Sequence, residues 1–256
     1  MANFTASSAA RAVSRVPMPF NVADRLIVAL DFDSADKAIR LVDELDGLIS
    51  VFKVGIQLQL AGGMRPVQYL LSKEKKVFLD LKYNDVPETV ELAVREAASK
   101  GVTFLTIHGN GPTVRAAVKG RGNNSELKLL SVTVLTSLDA SDMKDMGFQI
   151  SVEDLVLHRA KKALEAGCDG VIASGQEAAM IRKVVGPKLL IVTPGIRPEG
   201  FPKQDQKRTV TPKSAVLSGA DYLVVGRYIA TDPHPRKAAE RVLAEMQEGF
   251  AALVNP

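Results

Sequence analysis

Residues 77–99 read Val-Phe-Leu-Asp-Leu-Lys-Tyr-Asn-Asp-Val-Pro-Glu-Thr-Val-Glu-Leu-Ala-Val-Arg-Glu-Ala-Ala-Ser, and the fold is inferred from the unit that they contain. The apolar run Val77–Leu81 is typical of a strand that is buried on both faces of a parallel sheet. After a polar break, Pro87–Ser99 has the spacing of an amphipathic helix that begins with proline and ends just before Gly101. This stretch therefore predicts a strand, a loop and a helix, in that order.

The same unit recurs along the whole chain. The eight apolar runs that we interpret as strands are Leu26–Leu30, Val51–Val54, Val77–Leu81, Phe104–Ile107, Leu129–Leu135, Gly170–Ala173, Leu189–Val192 and Tyr222–Val225. The clearest helices are Ala35–Leu45 after the N-cap Ser34, Pro87–Ser99, Val152–Ala166 before Gly167, and Pro235–Phe250. Eight strands alternating with helices close into a (β/α)₈ barrel, which typically takes about 250 residues. The 256-residue chain is therefore predicted to be an α/β protein with a single TIM barrel over residues 24–256.

Composition and charge narrow the class of protein. Hydrophobic residues make up 46% of the chain and charged residues 24%, the usual mixture for a soluble globular protein. The net charge is +4, but no basic stripe with interleaved aromatic residues occurs, so we expect no nucleic-acid partner. No apolar run approaches the length of a membrane span. The single cysteine, Cys168, cannot form an internal disulfide, which favours a reducing compartment and hence a cytoplasmic location.

Residues 1–23 differ in composition from the rest of the chain. They contain no Asp or Glu, are rich in Ala and Ser, and include Arg11 and Arg15. This composition resembles that of an organellar transit peptide. We favour the alternative of a poorly ordered N-terminal arm, which Pro17 and Pro19 separate from the first strand.

Polar residues cluster where the predicted strands end, which is where the active site of a (β/α)₈ barrel lies. The residues placed there are Asp31, Lys53, Asp80, Lys82, His108, Thr136, Gly195, Arg197, Gly226 and Arg227. Any single charge at this rim could belong to an ordinary salt bridge. Four charges on three consecutive strands indicate a functional site instead.

The densest group of charges is Asp80-Leu-Lys-Tyr-Asn-Asp85. Because side chains alternate along a strand, Asp80 and Lys82 should point to the same side of the sheet, with Asp85 in the loop beyond. A lysine held among carboxylates stays protonated and is placed to donate a proton. Two neighbouring carboxylates could instead bind a divalent metal ion. The spacing alone leaves both interpretations open.

Two loops that contain glycine and arginine indicate a phosphate site. Thr193-Pro-Gly-Ile-Arg197 follows the seventh predicted strand, and Val225-Gly-Arg227 ends the eighth. In such barrels the loops after these two strands frequently bind a phosphate group. Glycine lets backbone N–H groups approach the phosphate oxygens, and arginine adds a bidentate charged contact. A phosphate-containing substrate is therefore expected.

Together these segments resemble the orotidine 5'-monophosphate decarboxylase family, from about Arg25 to the C-terminal helix. The segments that carry the resemblance are Ala29–Asp31, Phe52–Gly55, Asp80–Thr89, Val132–Ser137, Thr193–Pro198, Asp205–Arg208 and Val224–Tyr228. The resemblance implies decarboxylation of orotidine 5'-monophosphate to uridine 5'-monophosphate, the last step of pyrimidine nucleotide synthesis. It also implies that neither an organic cofactor nor a metal ion takes part.

The resemblance assigns expected roles to individual residues. The implied catalytic residues are Lys53, Asp80, Lys82 and Asp85, and the implied substrate-binding residues are Asp31, Lys53, Thr89, Thr136, Arg197, Gln206, Gly226 and Arg227. Lys82 would protonate C6 as carbon dioxide leaves, with Asp80 close to the substrate carboxylate.

The remaining implied contacts divide among ribose, base, phosphate and a second subunit. Asp31 and Lys53 would contact the ribose hydroxyls, and Thr136 the pyrimidine edge. The four residues of the loops after strands seven and eight would meet the phosphate. Asp85 and Thr89 would reach into a neighbouring subunit, so a homodimer with shared active sites is expected.

Two other functions are compatible with parts of this pattern. Metal-dependent relatives, such as 3-keto-L-gulonate 6-phosphate decarboxylase and hexulose phosphate synthase, share the Asp-x-Lys-x-x-Asp spacing. Three features argue against them: Lys53 in Phe52–Gly55, the strand-five segment Val132–Ser137, and the segment Asp205–Arg208. The second alternative is a non-catalytic barrel that binds a nucleotide phosphate. The intact set of rim charges argues against it, because binding alone does not need a cluster of this kind.

Overall fold

The computed structural model, which describes residues 21–108, 111–198 and 209–254, contains a closed barrel of parallel strands. The strands are β1 (Leu26–Ala29), β2 (Val51–Gly55), β3 (Lys76–Tyr83), β4 (Phe104–Ile107), β5 (Lys128–Val132), β6 (Gly170–Ile172), β7 (Leu190–Thr193) and β8 (Tyr222–Val225). Each strand pairs with its neighbours in sequence, and β8 closes the barrel by pairing with β1. The predicted (β/α)₈ barrel is confirmed.

Helices follow the strands and surround the barrel. Their bounds are α1 (Ala35–Glu44), α2 (Ile56–Gly62), α3 (Arg65–Ser72), α4 (Pro87–Ser99), α5 (Gly111–Arg121), α6 (Ala140–Asp145), α7 (Val152–Ala166), α8 (Ala178–Val185), α9 (Pro212–Leu217), α10 (Arg227–Ala230) and α11 (Pro235–Val254). Short 3₁₀ turns occupy Val22–Arg25 and Gly186–Lys188.

The ends of the predicted helices lie near their sequence signals. The Ser34 hydroxyl caps α1 by accepting a hydrogen bond from the Asp36 N–H. Helix α4 begins with Pro87 as predicted, and α7 ends at Gly167, whose φ of 88° is in the left-handed region. The last helix continues beyond its predicted end at Phe250, to Val254.

Strand β5 is shorter than its apolar run predicts. It was predicted to continue to Leu135, but the ladder ends at Val132. Thr133 then bonds the Ile172 carbonyl twice, through its N–H at 3.1 Å and its hydroxyl at 2.8 Å. Val134 is only 3% exposed. It is therefore apolar because it packs in the core beyond the ladder, which a hydropathy pattern does not distinguish from a strand.

Two layers of apolar side chains stabilise the barrel. The inner layer fills the barrel and includes Ile27, Val51, Phe78, Phe104, Leu130, Val192 and Val224. The larger outer layer lies between the strands and the helices. Glycine permits close approach in both layers: a Cβ on Gly170 would lie 2.7 Å from the Leu190 carbonyl oxygen, and one on Gly120 would lie 2.2 Å from the Glu91 carbonyl oxygen. Strand β6 and helices α4 and α5 could not pack as they do with larger residues there.

Two carboxylates, one buried and one partly buried, fasten the amino-terminal end of the barrel. Asp221, just before β8, accepts hydrogen bonds from the Ile191 N–H at 2.8 Å and from the Arg182 guanidinium at 2.5 Å. Asp169, just before β6, accepts the Leu129 N–H at 3.0 Å and pairs with Arg121. In each case one carboxylate joins a helix to the strand that follows it in the chain.

Most of the predicted N-terminal arm lies outside the described residues. Its last part is described: Asn21 caps the turn Val22–Arg25, and Val22 packs against the outer apolar layer. Within residues 21–108, 111–198 and 209–254, no helix is both long enough and apolar enough to cross a membrane.

Candidate active site

The inner face of the barrel changes from apolar to charged toward the carboxyl ends of the strands. On β1, Ile27 and Ala29 belong to the inner apolar layer, and Asp31 continues the same alternation just beyond the strand. The same alternation places Lys53 on β2 and Asp80 on β3 above that layer. Charged groups from three adjacent strands therefore meet at one rim, as predicted.

Four side chains form a chain of alternating charge at this rim, which we call the charge array: Asp31, Lys53, Asp80 and Lys82. Lys53 Nζ lies 2.9 Å from Asp31 Oδ1 and 3.5 Å from Asp80 Oδ2. Lys82 Nζ lies 2.9 Å from Asp80 Oδ1. The side chains of Lys53 and Asp80 are only 10% and 15% exposed, so water screens the centre of the array much less than a surface ion pair.

Asp80 is a carboxylate at neutral pH despite its burial. Burial by itself raises the pKa of the Asp80 carboxyl. The Lys53 and Lys82 ammonium groups, with hydrogen bonds from Lys82 and Thr106, outweigh burial and hold that pKa below its ordinary value. A negative charge is thus fixed between two positive ones.

Strand β3 is irregular just before Lys82. Its pairing with β4 passes from Leu79 opposite Leu105 to Tyr83 opposite Ile107. Lys82 has a φ of 50°, in the left-handed region, which costs about 1–2 kcal/mol for a residue other than glycine. Such strain persists where surrounding contacts hold it, often at catalytic sites. Regular alternation predicts the correct side for Lys82, but the strand reaches that side through a bulge.

Gly55 ends β2 beside the charge array and leaves room for it. Its φ of −97° and ψ of −178° suit any residue, so conformational freedom does not explain the glycine. A Cβ at this position would lie 3.0 Å from Lys53 Nζ and 3.1 Å from Asp31 Oδ1. Both distances are shorter than ordinary contacts, so a side chain would displace this ion pair.

Asp85 and Thr89 lie outside the charge array. Both are exposed, Asp85 in the loop after β3 and Thr89 in the first turn of α4. Asp85 Oδ1 accepts a hydrogen bond from the adjacent Val86 N–H at 2.6 Å. In the part of the chain that the structure describes, the carboxylate partner of Lys82 is Asp80 and not Asp85. The structure therefore brings together four of the predicted charges and leaves the fifth apart.

Arg197 lies at the base of the loop after β7. It is 8% exposed, and its guanidinium donates a hydrogen bond to the Ile196 carbonyl at 2.8 Å. Ile196 pairs with Val210 in an isolated parallel bridge, and the Arg197 N–H donates to the Val210 carbonyl at 2.9 Å. The two ends of this loop are thereby held together. Gln206 lies between them, outside the described residues.

The turn after β8 adjoins the charge array. A Cβ on Gly226 would lie 3.6 Å from Asp31 Oδ2, and the exposed Arg227 begins α10 immediately afterwards. Thr136 is half-buried in the turn after β5. All three lie just after the carboxyl ends of strands, at the rim that carries the array.

A cavity of about 580 Å³ opens beside the end of β4. Its lining includes Asn84, His108, Phe148, His158 and Arg159. Burial lowers the pKa of His108, and the nearby positive charges of Arg159 and Lys82 lower it further. His108 is therefore neutral at pH 7 and lines this cavity.

The charge array is poorly suited to a divalent metal ion. Its two carboxylates, Asp31 and Asp80, both form ion pairs with the Lys53 ammonium group. A metal ion between them would have to displace that ammonium group or lie beside it at a cost in repulsion. Within the described residues, no group of three or more His, Cys, Asp or Glu side chains is arranged to hold a metal ion.

Two residues of the site were not identified from the sequence. Thr106 of β4 donates a hydrogen bond to Asp80 Oδ1 at 3.0 Å, and Gly55 leaves the space described above. The available signal for Thr106 was a hydroxyl at the inward-facing position after Phe104. A threonine in a strand is common, and this signal is therefore weak.

Comparisons with known proteins agree with this geometry. The model of the orotidine 5'-phosphate decarboxylase / HUMPS family matches residues 24–242. A protein of Nitrobacter winogradskyi named orotidine 5'-phosphate decarboxylase is 52% identical over 227 residues, which are 89% of this chain and 94% of that protein. The protein of the same name from Methylococcus capsulatus is 48% identical over 242 residues, covering 94% of this chain and 98% of that one.

Solved structures show the same likeness. The crystal structure of orotidine 5'-phosphate decarboxylase from Lactobacillus acidophilus superimposes with a TM-score of 0.76 at 33% sequence identity, covering 87% of this chain and 99% of that one. The corresponding enzyme of Pyrococcus horikoshii gives a TM-score of 0.69 at 27% identity, covering 87% and 99%. The family model covers all eight strands and the loops of the charged rim, so this chain belongs to the orotidine 5'-phosphate decarboxylase / HUMPS family.

Proposed function

We propose that this chain converts orotidine 5'-monophosphate to uridine 5'-monophosphate and carbon dioxide at the charge array, without a metal ion or an organic cofactor. The observation that carries the proposal is the alternating order Asp31, Lys53, Asp80, Lys82, in which neighbouring side chains form ion pairs at 2.9, 3.5 and 2.9 Å. The names of the similar proteins support the same reaction.

The charge array supplies the positive charge and the proton that this decarboxylation needs. Loss of carbon dioxide leaves an electron pair on C6 in the plane of the pyrimidine ring, where the ring does not delocalise it. Stabilisation must therefore come from charges that are already in place when the negative charge develops. The Lys82 ammonium provides that positive charge and then transfers a proton to C6, which completes the product.

In the proposed mechanism, Asp80 holds Lys82 in place and repels the substrate carboxylate. Its carboxylate fixes Lys82 Nζ at 2.9 Å, and its negative charge lies where the substrate carboxylate would approach. Repulsion between the two carboxylates would ease as carbon dioxide leaves. The pKa of Asp80 is held below its ordinary value, so this charge persists throughout the neutral range.

Binding energy from the rest of the substrate would align C6 with Lys82. Asp31 and Lys53 are assigned to the ribose hydroxyls and Thr136 to the pyrimidine edge. The assigned phosphate contacts are Arg197, Gln206, Gly226 and Arg227. Support for the phosphate contacts is that the turn after β8 adjoins the array and that the loop containing Gln206 is closed by the Ile196–Val210 bridge.

Purified protein should release carbon dioxide from orotidine 5'-monophosphate in excess EDTA, with uridine 5'-monophosphate as the product. Lys82→Ala should lower kcat by at least about 10⁴-fold, because both the charge and the proton are lost. The matched control is Lys37→Ala, which removes an exposed lysine paired with Asp33 and should leave kcat unchanged. Activity that vanishes with EDTA and returns with Mg²⁺ would assign the chain to the metal-dependent relatives.

A homodimer with shared active sites forms part of the proposal. Four large apolar side chains are exposed on the helices and the loop that follow β2 and β3: Ile56 (60%), Leu60 (89%), Val86 (61%) and Leu92 (49%). Exposed large apolar side chains are a feature of protein interfaces. Asp85 directly precedes Val86 in the chain and lies outside its own array, so we assign Asp85 and Thr89 to the active site of the second subunit.

Subunit mixing tests the shared site. Lys82→Ala and Asp85→Ala are each expected to be inactive as homodimers. A mixed dimer has one site with both lesions and one with neither, so an equal, fully exchanged mixture should regain about a quarter of wild-type activity. The control mixture, Lys82→Ala with Asp80→Ala, should stay inactive, because those two residues act within one chain. If the first mixture also stays inactive after demonstrated exchange, Asp85 does not act across the interface.

The cellular location remains part of the proposal. The single cysteine, Cys168, is buried and unpaired, which agrees with a reducing compartment such as the cytoplasm.

A further inference from the structure

One buried hydroxyl lies where β3 departs from regular pairing. Leu79 pairs with Leu105 and Tyr83 with Ile107, so Asp80, Leu81 and Lys82 together span the position of Thr106. The bulge removes Lys82 from the ladder and holds it at a φ of 50°. The Lys82 N–H consequently needs an acceptor that is not a backbone carbonyl of β4.

Thr106 provides this acceptor and a second bond as well. Its side-chain oxygen accepts a hydrogen bond from the Lys82 N–H at 2.9 Å and donates one to Asp80 Oδ1 at 3.0 Å. The same Asp80 oxygen accepts a hydrogen bond from Lys82 Nζ at 2.9 Å. A hydroxyl has one donor and two acceptor positions, so it can make both bonds at once. Thr106 is fully buried, and water does not compete for either bond.

We propose that Thr106 is a positioning residue of the decarboxylase, holding Asp80 and the backbone of Lys82 in one hydrogen-bonded ring. This inference rests on the proposed function. The ring runs from the Thr106 hydroxyl to Asp80, on to the Lys82 ammonium group, and back through the Lys82 backbone to the hydroxyl. It fixes both ends of the lysine whose proton is transferred.

The hydrogen-bonded ring does more than provide an acceptor for the Lys82 N–H. A structural hydroxyl would only need to accept the Lys82 N–H. The second bond, to the Asp80 carboxylate, ties the bulge to the charge array, so the strained backbone and the array are held in a fixed relation. Because a displacement of about 1 Å at a reacting group can cost about 100-fold in rate, this relation bears directly on turnover.

The test compares Thr106→Val with Thr106→Ser. Valine keeps the branched shape and removes the hydroxyl, and its kcat should fall about 100-fold with little change in KM. Serine keeps the hydroxyl and should retain kcat within about threefold. Thr106→Ala removes the same hydroxyl with less steric demand, and it should show the same loss if the valine variant does not fold.

The matched control is Thr133→Val. Thr133 is also fully buried, and its hydroxyl donates to a backbone carbonyl, that of Ile172 at 2.8 Å. The Arg159 guanidinium donates to the Thr133 backbone carbonyl, and Thr133→Val leaves that carbonyl in place. It should lose stability as Thr106→Val does and keep its kcat. The difference in kcat between these two variants separates positioning from a purely structural role.

A pH profile gives a second measurement. Burial raises the pKa of Asp80, whereas Lys53, Lys82 and the Thr106 hydroxyl lower it. Removing the hydroxyl should therefore move the acidic limb of kcat/KM to higher pH, and serine should restore it. Wild-type kcat and an unmoved limb in Thr106→Val or Thr106→Ala would overturn the inference, as would serine behaving like valine. Wild-type protein that does not turn over orotidine 5'-monophosphate would instead overturn the proposed function.

Discussion

Gly55→Ala tests whether free space beside the ion pair of Lys53 and Asp31 matters for catalysis. The new Cβ would lie 3.0 Å from Lys53 Nζ and 3.1 Å from Asp31 Oδ1, so the pair must move by about 0.5 Å to reach ordinary contact distances. A displacement of about 1 Å at a reacting group can lower the rate about 100-fold. A displacement of about 0.5 Å should then lower the rate about 10-fold, which corresponds to about 1.4 kcal/mol of activation free energy. We therefore expect kcat/KM to fall about 10-fold.

The assay is steady-state kinetics on orotidine 5'-monophosphate, with melting temperatures to confirm folding. Asp31 and Lys53 are assigned to the ribose hydroxyls, so the loss in Gly55→Ala should be smaller on the 2'-deoxy substrate. The control is Gly111→Ala, whose Cβ would meet only the mobile end of Arg115, at 3.0 Å. A folded Gly55→Ala with wild-type kcat/KM on both substrates would refute the spatial reasoning.

Three further predictions concern groups outside the charge array. Arg182→Met removes the guanidinium that is hydrogen-bonded to the buried Asp221 carboxyl and should lower the free energy of unfolding by about 3–5 kcal/mol in urea titrations, with kcat unchanged. Burial, and then neighbouring positive charge, hold the pKa of His108 below its ordinary value of 6.5. The wild type should therefore lose stability as pH falls below about 6.5. His108→Gln should show a smaller drop in melting temperature between about pH 7.5 and 5.5. Burial raises the pKa of the Cys168 thiol to about 12, so iodoacetamide at about pH 8 should label the unfolded protein but not the native one, as read by mass spectrometry.

The barrel was predictable because its signals are local and repeated. Each strand is a short apolar run. Pro87 marks the start of α4, and Gly167 marks the end of α7. The errors occur where tertiary contacts decide. Val134 is apolar because it packs beyond the end of β5, and the last helix continues past Phe250 with Phe250 itself packed in the core. Neither fact can be deduced from the residues nearby.

The charge array was predictable for a different reason. Alternation along strands and the rule that catalytic residues lie at carboxyl ends place Asp31, Lys53 and Asp80 together without any knowledge of contacts. Thr106 could not be found in this way, since its importance depends on a bulge in the neighbouring strand. The left-handed φ of Lys82 was equally hidden, because lysine rarely adopts it.

The carboxylates that fasten the amino-terminal end of the barrel have a consequence for protein engineering. Asp169 and Asp221 join strands to helices at the end opposite the reacting groups. Mutational tolerance should therefore be distributed unevenly along the barrel axis. If the loops after β5 and β8 bind substrate as proposed, libraries that diversify them should alter substrate preference while this fastening stays intact. Substitutions at the two aspartates would exhaust the stability margin that such libraries need.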